Sequence, residues 1–235
     1  MQFTPIQPPD LLRQIIAQIK QNIASGALRK GDRLPSERDL SAAFGISRPT
    51  LREALKNLEM LGVVECLHGS GYYISANPCS AIAEPLGIMM QIEGGSIMHT
   101  HQLRRAIEQE GAALAAAHAT EDDIAAMEAL IKRIPVERDE QTKAALDRQF
   151  HYAIAQASGN PLLTTLLSAC ESLIDEHIQG ARLRIIQNDA NEARIDGQHE
   201  AILSAIRRGD SLGAADAVGE HMALIAQMLL AQQND

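Results

Sequence analysis

The stretch LPSERDLSAAFGISRPTLREALKNLEMLGVVECLHGSGYYIS, Leu34 to Ser75, most constrains what this chain can fold into. Ser36 stands where a helix N-cap accepts a backbone N–H, and Asp39, three residues on, can return the bond as in a capping box. Leu40, Ala43 and Phe44 give the following helix an apolar face, and Gly45 sits where a left-handed residue ends it. Ser47 caps a second helix, whose Pro49 falls in the first turn, where its missing N–H costs nothing. Two serine-capped helices around a glycine-centred turn form a helix-turn-helix. Val63–Leu67 and Tyr72–Ile74 then read as two strands joined by the polar tip His68-Gly69-Ser70-Gly71, which makes a wing.

In the second helix Leu51, Ala54, Leu55, Leu58 and Leu61 recur at three- and four-residue steps, which leaves Arg48, Thr50, Arg52, Glu53 and Lys56 on the other faces. The N-terminal part of such a helix enters the major groove, where arginine reads guanine O6 and N7 bidentately. Arg48 and Arg52 are therefore the base-reading candidates. Ser36, Arg38, Ser47, Thr50 and Lys56 are the phosphate-contact candidates.

Residues from about Leu11 to Ser75 resemble the N-terminal domain of the GntR family of bacterial transcription regulators, in GDRLPSERDL, SRPTLREAL and the LHGSGYYI wing. The resemblance implies that Arg38, Arg48, Arg52, His68 and Gly69 occupy positions used on DNA. His68 and Gly69 enter on that ground alone; by pattern, His68 is a polar loop residue.

Charge fits a divided chain. The net charge is −9 over 235 residues, but residues 1–75 carry nine Lys/Arg against seven Asp/Glu (+2) and the remainder carries −11. The footprint for nucleic acid is confined to the first part, and so small an excess makes binding depend on a few clustered cations and on dimerisation. No basic apolar leader and no apolar run near membrane-spanning length occurs, so a cytoplasmic protein without a bilayer segment is expected. Cys66, Cys79 and Cys170 form no metal-type pair and read as reduced, mostly buried thiols.

The expected organisation is a winged helix-turn-helix domain over 1–75, a linker over 76–78 broken by Pro78, and a helical domain over 79–235. Ahead of the motif, Leu11, Leu12, Ile15, Ile16, Ile19 and Ile23 mark an amphipathic helix that packs across it, and Ala27–Asp32 is a polar connection. Beyond Cys79 the patterning predicts helices over 79–92, 96–119, 121–134, 139–157, 161–179, 191–208 and 211–231. Alanine-rich patches such as Ala112–Ala117 suit close packing in an antiparallel bundle. The fold class is thus mainly α.

Asp147 and His151 are four apart, on one helix face, and His199 and His221 lie on two later helices. One carboxylate and three imidazoles suit zinc, and also nickel, cobalt, iron or manganese. Spacing leaves open whether they share a site or are ordinary helix histidines. His99, His101, His118 and His177 have no partner at ligand spacing and read as exposed or core residues, and Met89, Met90 and Met98 read as core filler.

The segments LRRAIEQEGAALAA, DRQFHYAIAQASGNPLL, GQHEAILSAI and VGEHMALI are similar to the FCD ligand-binding domain of the FadR subgroup, over about 80–231. That resemblance implies a divalent metal held by Asp147, His151, His199 and His221. It also puts Arg104 where the subgroup often places an arginine facing the effector. A guanidinium fork matches a carboxylate; the other reading of Arg104 is a surface salt bridge with Glu108. Glu108 can instead orient a ligating histidine.

The expected function is a homodimeric transcription regulator, most simply a repressor, whose hold on a palindromic operator is set by a small organic carboxylate. The alternative is a metal-dependent hydrolase or lyase using the same three-histidine, one-aspartate site. A third reading keeps DNA binding and makes the metal purely structural.

Overall fold

A computed structural model describes residues 11–76, 79–177 and 189–232 of the chain. It forms two compact units, Met1–Ile82 and Ala83–Asp235, a division a few residues past the expected 76–78 linker, of which 77 and 78 lie outside the described residues.

In the first unit, helices α1 (Leu11–Ala24), α2 (Glu37–Phe44) and α3 (Arg48–Met60) precede strands β1 (Val64–Leu67) and β2 (Gly71–Ile74). Ile15 and Ile19 of α1 pack with Leu51, Leu55 and Leu58 of α3 and with Val64 and Ile74 of the wing. The Ser36 hydroxyl caps α2 by accepting from Asp39 N–H at 3.3 Å, and Gly45 ends it in the left-handed region at φ 65. The reciprocal half of the expected capping box is different. The Asp39 carboxylate takes the Ser36 hydroxyl (2.6 Å) and the Arg38 guanidinium (3.3 Å) instead of the Ser36 backbone N–H, because a neighbouring cation competes for it.

β1 and β2 pair antiparallel from Val64↔Ile74 to Leu67↔Gly71, so the second strand begins one residue earlier than expected. The segment after the polar connection also joins the wing. Leu34 N–H donates to Tyr72 O and Ile74 N–H to Asp32 O, both at 2.8 Å. The open edge of β2 needs hydrogen-bond partners, and the nearest backbone supplies them although its side chains show no strand alternation.

The second unit is helical: α4 (Ser80–Ile92), α5 (Ile97–His118), α6 (Glu121–Arg133), a 3-10 turn (Ile134–Val136), α7 (Glu140–Ala157), α8 (Pro161–His177), α9 (Asp189–Arg207) and α10 (Ser211–Gln232). Each expected helix is present, with ends displaced by up to about two residues; the expected end of α8 at 179 lies outside the described residues. α5 is the central helix, packed against α7, α8, α9 and α10. Ala112 and Ala115 on it are fully buried, and their small side chains let the neighbouring helices approach. Phe150, Met127, Ile202, Ile206, Val218 and Met222 fill the core around them. One expectation fails here. Met89 is 60% exposed, beside exposed Ile88 and Ile92, and is not core filler. α4 carries more apolar side chains than its buried face can take.

Among the described residues no strand occurs beyond Ile74, and no helix is long and apolar enough to cross a membrane. Cys66 is exposed; Cys79 and Cys170 are buried; all three are free thiols.

Candidate functional site

In the first unit the buried stripe Leu51, Ala54, Leu55 and Leu58 turns the opposite face of α3 to solvent. Arg48, Arg52 and Lys56 are exposed there. Arg52 reaches back to the first turn of α2, its Nε 2.8 Å from Glu37 Oε2, which orients the guanidinium without burying it. Arg38 is exposed and paired with Asp39. The Ser36 and Arg38 hydrogen bonds to Asp39 hold that carboxyl below the usual aspartate range. Ser47 caps α3, accepting from Thr50 N–H (3.3 Å) and sharing a 2.7 Å hydroxyl contact with Thr50 Oγ1. Thus Ser36, Ser47 and Thr50 serve helix ends first, at exposed or half-buried positions. His68 and Gly69 are exposed at the wing tip, where Gly69 adopts φ 76, a conformation few other residues take. Arg38, Arg48, Arg52 and Lys56, on α2 and α3, are four of the nine Lys/Arg of residues 1–75.

In the second unit α7 brings His151, α9 His199 and α10 His221 together, each 1–2% exposed, with one donor atom from each lying within 4.8 Å of the others. Asp147, one turn before His151, places Oδ1 3.2 Å from His199 Nε2 and 3.9 Å from His151 Nε2. The three imidazoles therefore adjoin one point, and Asp147 stands beside two of them. Donors so placed could hold a cation. Neither ring nitrogen of His199 makes a hydrogen bond despite complete burial, a costly state that a coordinated ion relieves. His221 Nδ1 donates to Gln198 Oε1 at 3.2 Å, which leaves Nε2 with its lone pair. Burial, then the neighbouring His199 and His151, pushes the His221 imidazole well below its ordinary range, so it stays neutral as a ligand must.

Glu108 on α5 stands behind His151, with Oε2 2.5 Å from Nδ1. A carboxylate there fixes the ring and aims Nε2 at Asp147 and His199, as proposed for Glu108 from sequence. Burial raises the Glu108 pKa, but Arg104 and His151 outweigh it and bring the carboxyl to about 2. Phe150, fully buried, packs edge-on against His151 and tilted against His199, with ring centroids 5.6 and 4.9 Å apart.

Arg104 is 6% exposed. Its Nε donates to Glu108 Oε1, and its Nη1 lies 3.1 Å from Glu171 Oε1 on α8. The salt bridge with Glu108 exists, but inside the bundle rather than on the surface, because Glu108 is already held inward by His151. Burial disfavours the charged guanidinium, yet Glu108, Glu171 and Asp147 raise its pKa. The other histidines behave as expected: His101 Nε2 bonds Met222 O (2.8 Å), His118 Nδ1 bonds Ser158 O (3.1 Å), and His99 caps α5 from an exposed position. The His177 side chain lies outside the described residues. Sequence reasoning missed Gln198 and Glu171. Gln198 precedes His199 directly, but adjacent helical residues diverge by about 100°, and no spacing rule points from it to His221.

The bacterial regulatory protein, gntR family profile matches residues 11–74 and the FCD domain profile residues 99–224. The chain is 30% identical over 209 residues to the HTH-type transcriptional regulator LutR of Bacillus subtilis, covering 88% of this chain and 95% of LutR. It is 30% identical over 227 residues to the HTH-type transcriptional repressor NanR of Salmonella newport, covering 93% and 85%. Its fold is similar to that of Streptococcus agalactiae GntR, with TM-score 0.69 and 26% identity over 92% of this chain and 99% of that one. The relatives are named as regulators, and nothing in them supports the hydrolase or lyase alternative. With the winged motif, the helical domain and this shared sequence in place, the chain belongs to the GntR family of bacterial transcription regulators, in the FadR-like group that carries an FCD domain.

Proposed function

We propose that this regulator is a homodimeric repressor whose two winged domains grip a palindromic operator in the cytoplasm, and whose 79–235 domain senses a small organic carboxylate at a metal centre. Asp147, His151, His199 and His221 would hold the divalent ion, with zinc the first candidate for an imidazole-rich set and nickel, cobalt, iron or manganese accepted by the same donors. The bound ion would supply an electrophilic anchor for a carboxylate oxygen. Arg104, charged at every working pH, lies close enough to Asp147 and His221 to influence their charge, and would draw the same anion. Arg48 and Arg52 would read bases, Ser36, Arg38, Ser47, Thr50 and Lys56 would contact phosphates, and His68 with Gly69 would approach the duplex from the wing. The signal would pass through residues 76–78 by favouring one helix arrangement over another. Repression is supported by the similarity to NanR, which is named a transcriptional repressor.

The observation that carries the metal reading is His199: two buried ring nitrogens without a hydrogen bond, beside two more imidazoles and a carboxylate. The test is metal analysis of protein purified without added metal. Close to one ion per chain is expected in wild type and a large loss in His199→Ala, with operator binding of the variant at least partly kept. Equal metal content in both proteins would remove the four-ligand site.

A further inference from the structure

Arg104 is engaged by two carboxylates, and the two are not equivalent. Glu108 is 3% exposed, takes a directed hydrogen bond from Arg104 Nε and also supports His151, so it cannot leave without exposing a buried cation and freeing a histidine ring. Glu171 is more exposed and less well aligned. Its side chain is 15% exposed, and its Oε1 lies 3.1 Å from Nη1 as an ion pair without hydrogen-bond alignment. It also lines an open pocket of about 340 Å³ between α7 and α8, walled by Arg148, Gln149, Tyr152 and Ser168. One carboxylate on Arg104 is built in; the other has an exit with a cation on its wall.

We propose that Glu171 is an internal stand-in for the effector carboxylate, and that effector binding is an exchange: the incoming anion takes the Nη side of Arg104 and Glu171 turns into the α7–α8 pocket. This rests on the carboxylate reading of the site. The exchange conserves charge around Arg104, since one anion replaces another and the buried guanidinium never stands with Glu108 alone. Such a swap spares the free protein an under-paired buried cation, at the expense of affinity, because the incoming anion must displace Glu171. It also gives the ligand a mechanical consequence. In the free protein Glu171 ties α8 to α5 through Arg104; after exchange that tie is broken while the Arg104–Glu108–His151 connection stays. The tie lost is the polar one between α8 and α5, while Leu167 and Cys170 keep their apolar packing on Ile107 and Ala155. Ligands with two anchoring groups are favoured, one for Arg104 and one for the ion, so 2-hydroxycarboxylates and dicarboxylates fit better than simple monocarboxylates.

The experiment titrates metal-loaded wild type, Glu171→Gln and Arg104→Gln, and the double variant, by calorimetry with L-lactate, succinate and citrate as probes. Removing the competing anion should tighten binding of the acid that wild type accepts by at least tenfold in Glu171→Gln. That gain should vanish in the Arg104→Gln background, which separates exchange at the guanidinium from a general loss of negative charge. Equal or weaker binding by Glu171→Gln, or a gain that survives without Arg104, overturns the exchange and leaves the carboxylate reading intact. Binding of no acid to either protein removes both. Hydrogen exchange on wild type alone gives an independent measure should a variant fail to fold: saturating acid should lower protection of the α8 amides around Glu171, and unchanged or higher protection there overturns the proposal.

Discussion

At the scale of single residues, partners decide what each charge can do. Arg52 is exposed, and its pair with Glu37 is of the kind that contributes little to stability. Arg52→Ala should therefore abolish preference for operator over random DNA in gel-shift titrations while thermal melting and metal content stay unchanged; retained preference would contradict a base-reading role. Glu108 is the opposite case. Glu108→Gln removes the anion behind His151, and metal affinity should fall by about 10- to 100-fold in chelator competition. The same residue sets a pH dependence. Arg104 and His151 hold its carboxyl down at about 2 in the folded chain, against an ordinary 4.5, so it stabilises the fold above 4.5 and that contribution is lost as pH falls toward 2. His221, held neutral by burial, acts earlier: below its ordinary 6.5 the unfolded chain takes up a proton that the folded one refuses. Metal-free protein should lose stability below pH 6.5, followed by a second acid-dependent loss below 4.5 that Glu108→Gln lacks. Denaturant midpoints measured across pH check both steps.

At the scale of elements, helix ends and helix crossings carry the design. α6 begins with a capping box in which Thr120 Oγ1 accepts from Asp123 N–H and Asp123 accepts from Thr120 N–H. Thr120→Ala should cost about 1 kcal/mol and lower the melting point by about 2–4 °C, with metal and DNA binding untouched. Phe150 is both core and site wall, and Phe150→Ala should cost about 3–5 kcal/mol and weaken metal binding as well, because its ring limits how His151 and His199 can turn. Differential scanning calorimetry with and without chelator separates the two effects. Lys143 shows a third role for an element end. Largely buried on α7, it pairs with Glu192 in the first turns of α9 at 2.7 Å, tying together the helices that supply His151 and His199.

At the scale of the whole molecule, function is split between a weakly basic unit and a strongly acidic one. Positive charge is concentrated on few side chains, so operator affinity should fall steeply and linearly in log–log form with salt, and a flat salt response would contradict a phosphate-dominated grip. A resident ion should stabilise the second unit by mass action, about 2.7 kcal/mol at a hundredfold excess over its dissociation constant. Chelation should lower the melting point of wild type and leave His199→Ala unmoved.

The elements and the classes of chemistry could be read from the amino-acid order alone. Serine caps, Gly45, the leucine stripe of α3 and the placing of Asp147 and His151 one turn apart are local facts of helix geometry, readable within a few residues. Tertiary structure decided which distant side chains meet. Only folding brings Glu108 behind His151, Gln198 against His221 and Glu171 onto Arg104, because each pair lies on separate helices and no periodicity links them. It also turned the segment at 32–34 into a wing edge and left Met89 outside, since hydrogen-bond demand and available buried area are properties of the assembled molecule.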